Sequence, residues 1–361
     1  MLSTIAFIFV LSVLIIAHEF GHFIAAKRSG VKVEKFSLGF GPKLLGLKRG
    51  DTEYMICAVP LGGYIKMAGD SFEEKITGQS WEFFSKSPGV RARIIFAGPL
   101  LNYILGFLLF CLVFMVGNPM VTSKVGELLD GYPAKAYGIQ KGDRIIAIDG
   151  KKIDYWENLI DVVHNKTEGE MDLTIKRGDS VLFLKITPKV EEKKDIFGST
   201  RKIALLGVIP SDEVVTVKYD PLSAVYLAAK KVLLLTQMTF KALFYIIIGK
   251  MSVKESVTGP VGIFILTGKA AELGFIYLLQ MMAILSTSLA IFNVLPIPVL
   301  DGGHMLFIVI EKLRRKAVSP RVQEITNQAG MYVLIGLMFL VFYSDFAKFG
   351  IFDKIFGIFK K

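Results

Sequence analysis

The chain has 361 residues, 52% of them hydrophobic, with 43 lysines and arginines against 32 acids and a net charge of +11. Several uncharged runs reach the roughly 20 residues that a bilayer span needs, which excludes a purely water-soluble chain. The positive excess includes no polybasic tract with interleaved aromatics, which argues against a nucleic-acid partner, and the two cysteines, Cys57 and Cys111, exclude a disulfide framework.

The first segment, Leu2 to Ala26, reads as a retained span, because it lacks the positive start of a secretion signal and runs too long for one. Met1 to Ala17 carries no charge, yet His18, Glu19 and His22 all precede the first lysine, Lys27. Ionisable groups are expensive at membrane depth and mark function by default. His18-Glu19-Phe20-Gly21-His22 is an H-E-x-x-H pattern. On a helix, residues i and i+4 share a face, so both imidazoles can reach one metal while the glutamate stands beside its water as general base. Two polar positions facing a cavity or a neighbouring helix would also satisfy the pattern.

From Lys27 to Arg93 the chain is rich in lysine and arginine, as cytoplasmic loops are. Within it "AVPLGGYIKM", Ala58 to Met67, has strand character interrupted at Gly62-Gly63, the mark of a bulge or a close backbone approach. Such a strand offers an edge to an extended peptide by strand addition. A plain surface hairpin is the alternative. A second span is predicted over Ile94 to Gly117.

Asn118 to Asp220 alternates in hydropathy. Stretches such as "DRIIAIDG" and "MDLTIKRGDSVLFLKITPK" predict short strands joined by Asp-Gly and Arg-Gly-Asp turns, hence a folded polar domain without a long internal repeat. His164 reads as a surface residue of it. Two weaker segments follow, Val232 to Gly249, interrupted by Lys241, and Ser256 to Gly268, short and containing glycine and proline. Both are read as membrane-surface elements.

The third span, Gly274 to Leu295, runs into "IFNVLPIPVLDGGHMLF", Ile291 to Phe307. Pro296 and Pro298 break the helix, and Asp301 is the only acid in a long uncharged run. Irregular backbone at that depth is tolerated only where it is buried in protein or lines a cavity. A catalytic zinc takes three protein ligands, and Asp301 is the candidate for the third. His18 lies nine residues from Lys27 and Asp301 eleven from Lys312, which at about 1.5 Å per helical residue puts both roughly 13–17 Å inside the cytoplasmic boundary. His304 is a rival ligand, read instead as helping to cap the following helix. Asn293 is either a helix-packing amide or a group aimed at the substrate backbone or oxyanion. Lys312, Arg314, Arg315, Lys316 and Arg321 make the next connector cytoplasmic, before a fourth span, Ile325 to Ser344. By parity the N-terminus, the polar domain and the C-terminus lie outside. The tail "FAKFGIFDKIFGIFKK" is amphipathic and reads as a surface-lying helix.

"HEFGH" in a first span, "GPLLN" at Gly98 to Asn102 in a second and "NVLPIPVLDGG" in a third together resemble the site-2 protease family of intramembrane zinc metalloproteases. "FSLGFGP", Phe36 to Pro42, and "VPLGGYIKMAGD", Val59 to Asp70, match that family's hairpin region, so the resemblance covers essentially the whole chain. It implies one Zn2+ bound by His18, His22 and Asp301, with Glu19 as base and Asn293 on the substrate; on the strand-addition reading, Gly62, Gly63 and Tyr64 would be the substrate contacts on the hairpin. "GYPAKAYGIQKGDRIIAIDGKKI", Gly131 to Ile153, resembles a PDZ domain. In the family's permuted version a late strand lines the peptide groove, here "LLGVIP", so Leu206, Gly207 and Val208 would receive peptide C-termini. Better-studied members carry two tandem PDZ domains, and this chain has room for one.

The expected fold is therefore a polytopic α-helical membrane protein of four transmembrane helices, with a membrane-associated β-hairpin region and one inserted extracytoplasmic PDZ domain of α+β class. Its expected parts are residues 1–117 with the first two spans and the hairpin loop, 118–220 as the PDZ domain, 221–273 as interfacial helices, and 274–361 with the last two spans and the tail. The expected function is a zinc-dependent intramembrane endopeptidase of the bacterial inner membrane. Its substrates would be single-span proteins, anti-sigma factors or remnant signal peptides, and its other partner the bilayer. An idle peptide-binding scaffold and a metal transporter are the rivals, and a single metal-ligand cluster suits the transporter poorly.

Overall fold

The computed structural model describes residues 1–71, 77–194, 198 and 200–350. α1 (Leu2–Arg28) is apolar on every side and ends in Lys27 and Arg28, cations that suit a helix C-terminus. β1 (Val33–Arg49) and β2 (Thr52–Met67) then pair antiparallel, each bent by bulges into two segments. Residues 33–40 pair with 59–67 on one side and with 53–56 on the other, while 43–49 pair with the outer side of 52–57. The expected hairpin is thus a four-segment sheet, with 59–67 as one edge. α2 (Pro88–Val116) carries Pro99 within it.

The polar domain follows as β3 (Asn118–Val121), β4 (Val125–Leu128), α3 (Pro133–Ala136), β5 (Arg144–Ile148), β6 (Lys151–Lys152), α4 (Trp156–Asn165), β7 (Met171–Arg177), β8 (Ser180–Ile186), β9 (Lys189–Lys194), β10 (Thr200–Leu205), β11 (Val208–Pro210) and β12 (Val214–Val217). Four strands lie in the order β6-β5-β7-β8, and β3 pairs with β12, β4 with β11 and β9 with β10. Period-two patterning explains the sheet: Met171, Leu173 and Ile175 of β7 are buried while Asp172 and Lys176 face out. They pack with Ile145, Ile186 and Leu159 in one core. The β5–β6 turn holds Asp149 at φ 48° and Gly150 at φ 75°, the left-handed pair that a two-residue hairpin of matching twist requires. This unit comprises Phe114–Asp220 with Phe244–Met251.

The remaining helices are α5 (Pro221–Ile247), α6 (Val253–Ser256), α7 (Pro260–Leu273), α8 (Phe275–Val294), α9 (Asp301–Arg314) and α10 (Pro320–Lys348). Among the described residues, four helices are long and apolar enough to cross a membrane, α1, α2, α8 and α10, and they coincide with the four predicted spans. Lys241 does not interrupt α5, which is continuous over 27 residues.

α7 packs one face against α1. Its 14 residues include buried Gly262, Thr267 and Gly268, and Phe264 meets Phe7 of α1 edge to face at 5.4 Å. Its entry is held by the fully buried Asp345 of α10, whose carboxylate accepts the N–H of Gly259 (3.1 Å) and of Gly262 (2.8 Å). Those bonds satisfy amides that a helix start leaves without partners. Of the predicted tail helix, residues 351–361 lie outside the described residues.

Candidate metal centre

α1 and α2 meet backbone to backbone at the H-E-x-x-H turn. A Cβ on Gly21 would stand 2.2 Å from the Ala97 carbonyl oxygen, and one on Gly98 would stand 2.2 Å from His22 Nε2. Glycine at both positions is what lets the His22 ring lie against α2. There His22 Nδ1–H donates to the Ile94 carbonyl at 2.9 Å. That bond fixes the tautomer and leaves the Nε2 lone pair directed into the site.

The third member arrives from the chain between α8 and α9. Two prolines end α8, and Val299 adopts φ 79°, rare for a β-branched residue and a place where strain is stored. The first turn of α9 is folded tightly onto this segment: a Cβ on Gly302 would meet the Leu295 carbonyl oxygen at 2.1 Å. The turn delivers Asp301, whose Oδ2 lies 3.1 Å from His18 Nε2 and 3.6 Å from His22 Nε2. The two Nε2 atoms are 3.2 Å apart.

Ligand atoms about 2.0–2.1 Å from a tetrahedral zinc stand roughly 3.3 Å from one another, so the triangle has the dimensions such an ion requires. Asp301 Oδ2 is buried without a hydrogen-bond donor, which leaves a carboxylate lone pair beside two imidazole nitrogens. The donor set fits zinc. Among the described residues, these three are the group of histidine, cysteine and acidic side chains able to share an ion.

A cavity of about 850 Å3 opens beside the triangle. Glu19, Tyr64, Asn293, Val299 and His304 line it. The Ile65 backbone amide lies near the Glu19 carboxylate, and Gly63 lies against Ile15 and Glu19, so β2 is laid directly along the Glu19 face of α1. His304 is outside the three-atom group, and α9 has no side-chain cap, which corrects the capping role expected for it. Gly62, at φ 155°, sits under the ring of Phe40, which stacks parallel to Tyr64 with centroids 6.1 Å apart. Leu206, Gly207 and Val208 belong to the other unit. There the Leu206 and Gly207 carbonyls accept the N–H groups of Ala134 and Leu129, and Val208 pairs with Leu128 of β4.

Sequence reasoning missed three lining features. Arg91, counted among the loop cations, is buried in an ion pair of 2.5 Å with Glu311 of α9. The Ile65 amide acts through backbone alone, which composition cannot signal. Asn327, in the first half of α10, also lines the cavity.

Comparison with known proteins agrees with this geometry. The sequence matches Peptidase family M50 over residues 6–337. It is 34% identical over 360 residues to a Mesorhizobium japonicum protein named "putative zinc metalloprotease", covering 95% of this chain and 98% of that one. A Clostridium acetobutylicum protein of the same name is 35% identical over 336 residues, covering 92% and 94%. The regulator of sigma-E protease of Salmonella typhimurium is 31% identical over 446 aligned positions, covering 95% and 98%.

Proposed function

This chain belongs to peptidase family M50, the site-2 proteases, and is a zinc metalloprotease of the membrane; on that premise we propose that it cleaves single-span membrane proteins within the bilayer. The observation that carries the reading is the convergence of His18, His22 and Asp301 from two apolar stretches onto one ion-sized triangle. These three would hold the zinc. When bound, zinc polarises the scissile carbonyl and lowers the pKa of a water towards 7.

The side chains around it supply the rest. Glu19, with the Ile65 amide nearby, takes the proton from the attacking water and passes it to the leaving nitrogen. Asn293 hydrogen-bonds the substrate backbone over the site. A spanning helix hides its carbonyls in its own hydrogen bonds, so it must unwind before hydrolysis. The edge segment 59–67, with Gly62, Gly63 and Tyr64, takes the unwound stretch as an added strand.

The second unit is read as a single PDZ domain with Leu206, Gly207 and Val208 at its groove, receiving peptide C-termini. The 446-position alignment with the Salmonella protein is longer than this entire chain, in keeping with one such domain here rather than two. The basic loops after α1 and after α9 support a cytoplasmic side there, with both termini and the PDZ domain outside the bacterial inner membrane. Anti-sigma factors and remnant signal peptides are the substrates of matching architecture.

Co-expression with tagged single-span proteins tests the reading. Glu19→Gln should retain zinc, since Glu19 is not a ligand, and lose about 10²–10⁴ in rate with its general base. Substantial cleavage by metal-loaded Glu19→Gln would overturn the assignment.

A further inference from the structure

An extended peptide presents backbone groups along both edges, and strand addition to residues 59–67 satisfies only one of them. At membrane depth the other edge cannot be left bare, because each unpaired buried amide or carbonyl is costly. The cavity wall facing that edge therefore has to carry hydrogen-bonding groups.

The lining of the cavity includes α10. Gln323, Glu324, Asn327 and Gln328 all line the cavity that contains Glu19 and Asp301, and their spacing puts them on one face of the helix. Gln323 is already engaged, donating to the Val318 carbonyl at 2.9 Å, and Gln328 reaches Glu324 at 3.4 Å. Asn327 differs: its Oδ1 is buried and has no hydrogen-bond partner. One turn on, a Cβ at Gly330 would stand 2.4 Å from Pro298 Cβ, so α10 is seated on the same proline segment that delivers Asp301. Asn327 is thereby held near the level of the metal triangle.

We propose that Asn327 is a substrate-binding residue, its side-chain amide pairing with the backbone edge of the unwound substrate opposite β2. Its Oδ1 accepts a substrate N–H and its Nδ2 donates to a substrate carbonyl, as a neighbouring strand would. The inference rests on the strand-capture reading above.

Two measurements test it in the full-length protein. Asn327→Leu should lower kcat/KM about tenfold to a hundredfold, the consequence of stranding one buried backbone group, with zinc content unchanged and Asn327→Gln recovering part of the loss. Wild-type kcat/KM in Asn327→Leu, or loss of zinc along with activity, overturns the proposal. Crosslinking separates it from the reading beneath it. In a Glu19→Gln background, Asn327→Cys should form disulfides with substrate cysteines beside the scissile bond, and Tyr64→Cys should do so from the other side. Crosslinks from Tyr64→Cys alone would overturn the role of Asn327 and leave strand capture standing. Crosslinks from neither would overturn both.

Discussion

A methyl group at position 98 would occupy space that His22 Nε2 now fills, since the two would be 2.2 Å apart. The imidazole can yield only by turning away from the Ile94 carbonyl that fixes its tautomer, or α1 and α2 must separate. Either response moves a nitrogen that has to stay about 2.0–2.1 Å from the metal. Gly98→Ala should therefore bind substoichiometric zinc and lose most activity. Gly336→Ala on α10, with nothing within 4 Å of its added Cβ, should match the wild type in both. Elemental analysis of the purified proteins checks this, and full zinc in Gly98→Ala would refute it. The same measurement sorts the two candidate third ligands. Asp301→Ala should lose zinc and all cleavage because it removes a vertex of the triangle. His304→Ala should keep its zinc, because His304 lines the cavity without entering the three-atom group. Full occupancy in Asp301→Ala with loss in His304→Ala would reverse the assignment.

At the scale of elements, the edge segment of β2 joins packing to chemistry, because one backbone amide, that of Ile65, lies near the proposed base. Proline there has no N–H to give. Ile65→Pro should cut activity at least tenfold while zinc stays bound, and residues that break helices in the substrate span should raise cleavage by the wild type. Unchanged activity in a folded, zinc-loaded Ile65→Pro would make the sheet a structural cover only. This element also marks how far the sequence could be read. The four spans were legible because burial in lipid writes itself as long uncharged runs, and His18, His22 and Asp301 were legible because ionisable groups in such runs are so costly. The doubled pairing of residues 33–40 was not, since it depends on bulges and a register that no local pattern encodes. Nor was the anchoring of α7, whose start is capped by Asp345, more than 80 residues away in sequence. Asn327 sits in a polar half-turn that composition alone assigns to a helix end.

At the scale of the whole molecule, the two units are stabilised by different physics, and pH should separate them. The spanning helices depend on apolar packing and lipid. The polar unit instead closes on ionised carboxylates. Asp143 is almost fully buried and accepts two bonds of 2.8 Å from the Arg177 guanidinium and one of 2.8 Å from the Gln140 N–H. Burial alone would push the carboxyl up, but Arg177 and the Gln140 amide together hold it below the usual carboxylate range. Asp149 is likewise held low, by Lys166 against a weaker push from burial and with help from the Asp172 N–H. A carboxylate whose folded pKa is depressed contributes stability that is fully present above its unfolded pKa, near 4, and is lost as pH falls through the folded value. The polar unit should therefore hold its stability from neutral pH down to about 4 and weaken steeply below that. Trp156 packs against its core, so in a Trp81→Phe chain its fluorescence reports denaturant unfolding of this unit within the intact protein. Asp143→Asn should cost about 1–3 kcal/mol at neutral pH, as a buried charged hydrogen-bond network is broken, and should flatten the acid limb. An acid limb as steep in Asp143→Asn as in the wild type would mean that other carboxylates carry the linkage, and that the Asp143–Arg177 pair fixes the β5–β7 geometry without setting its response to pH.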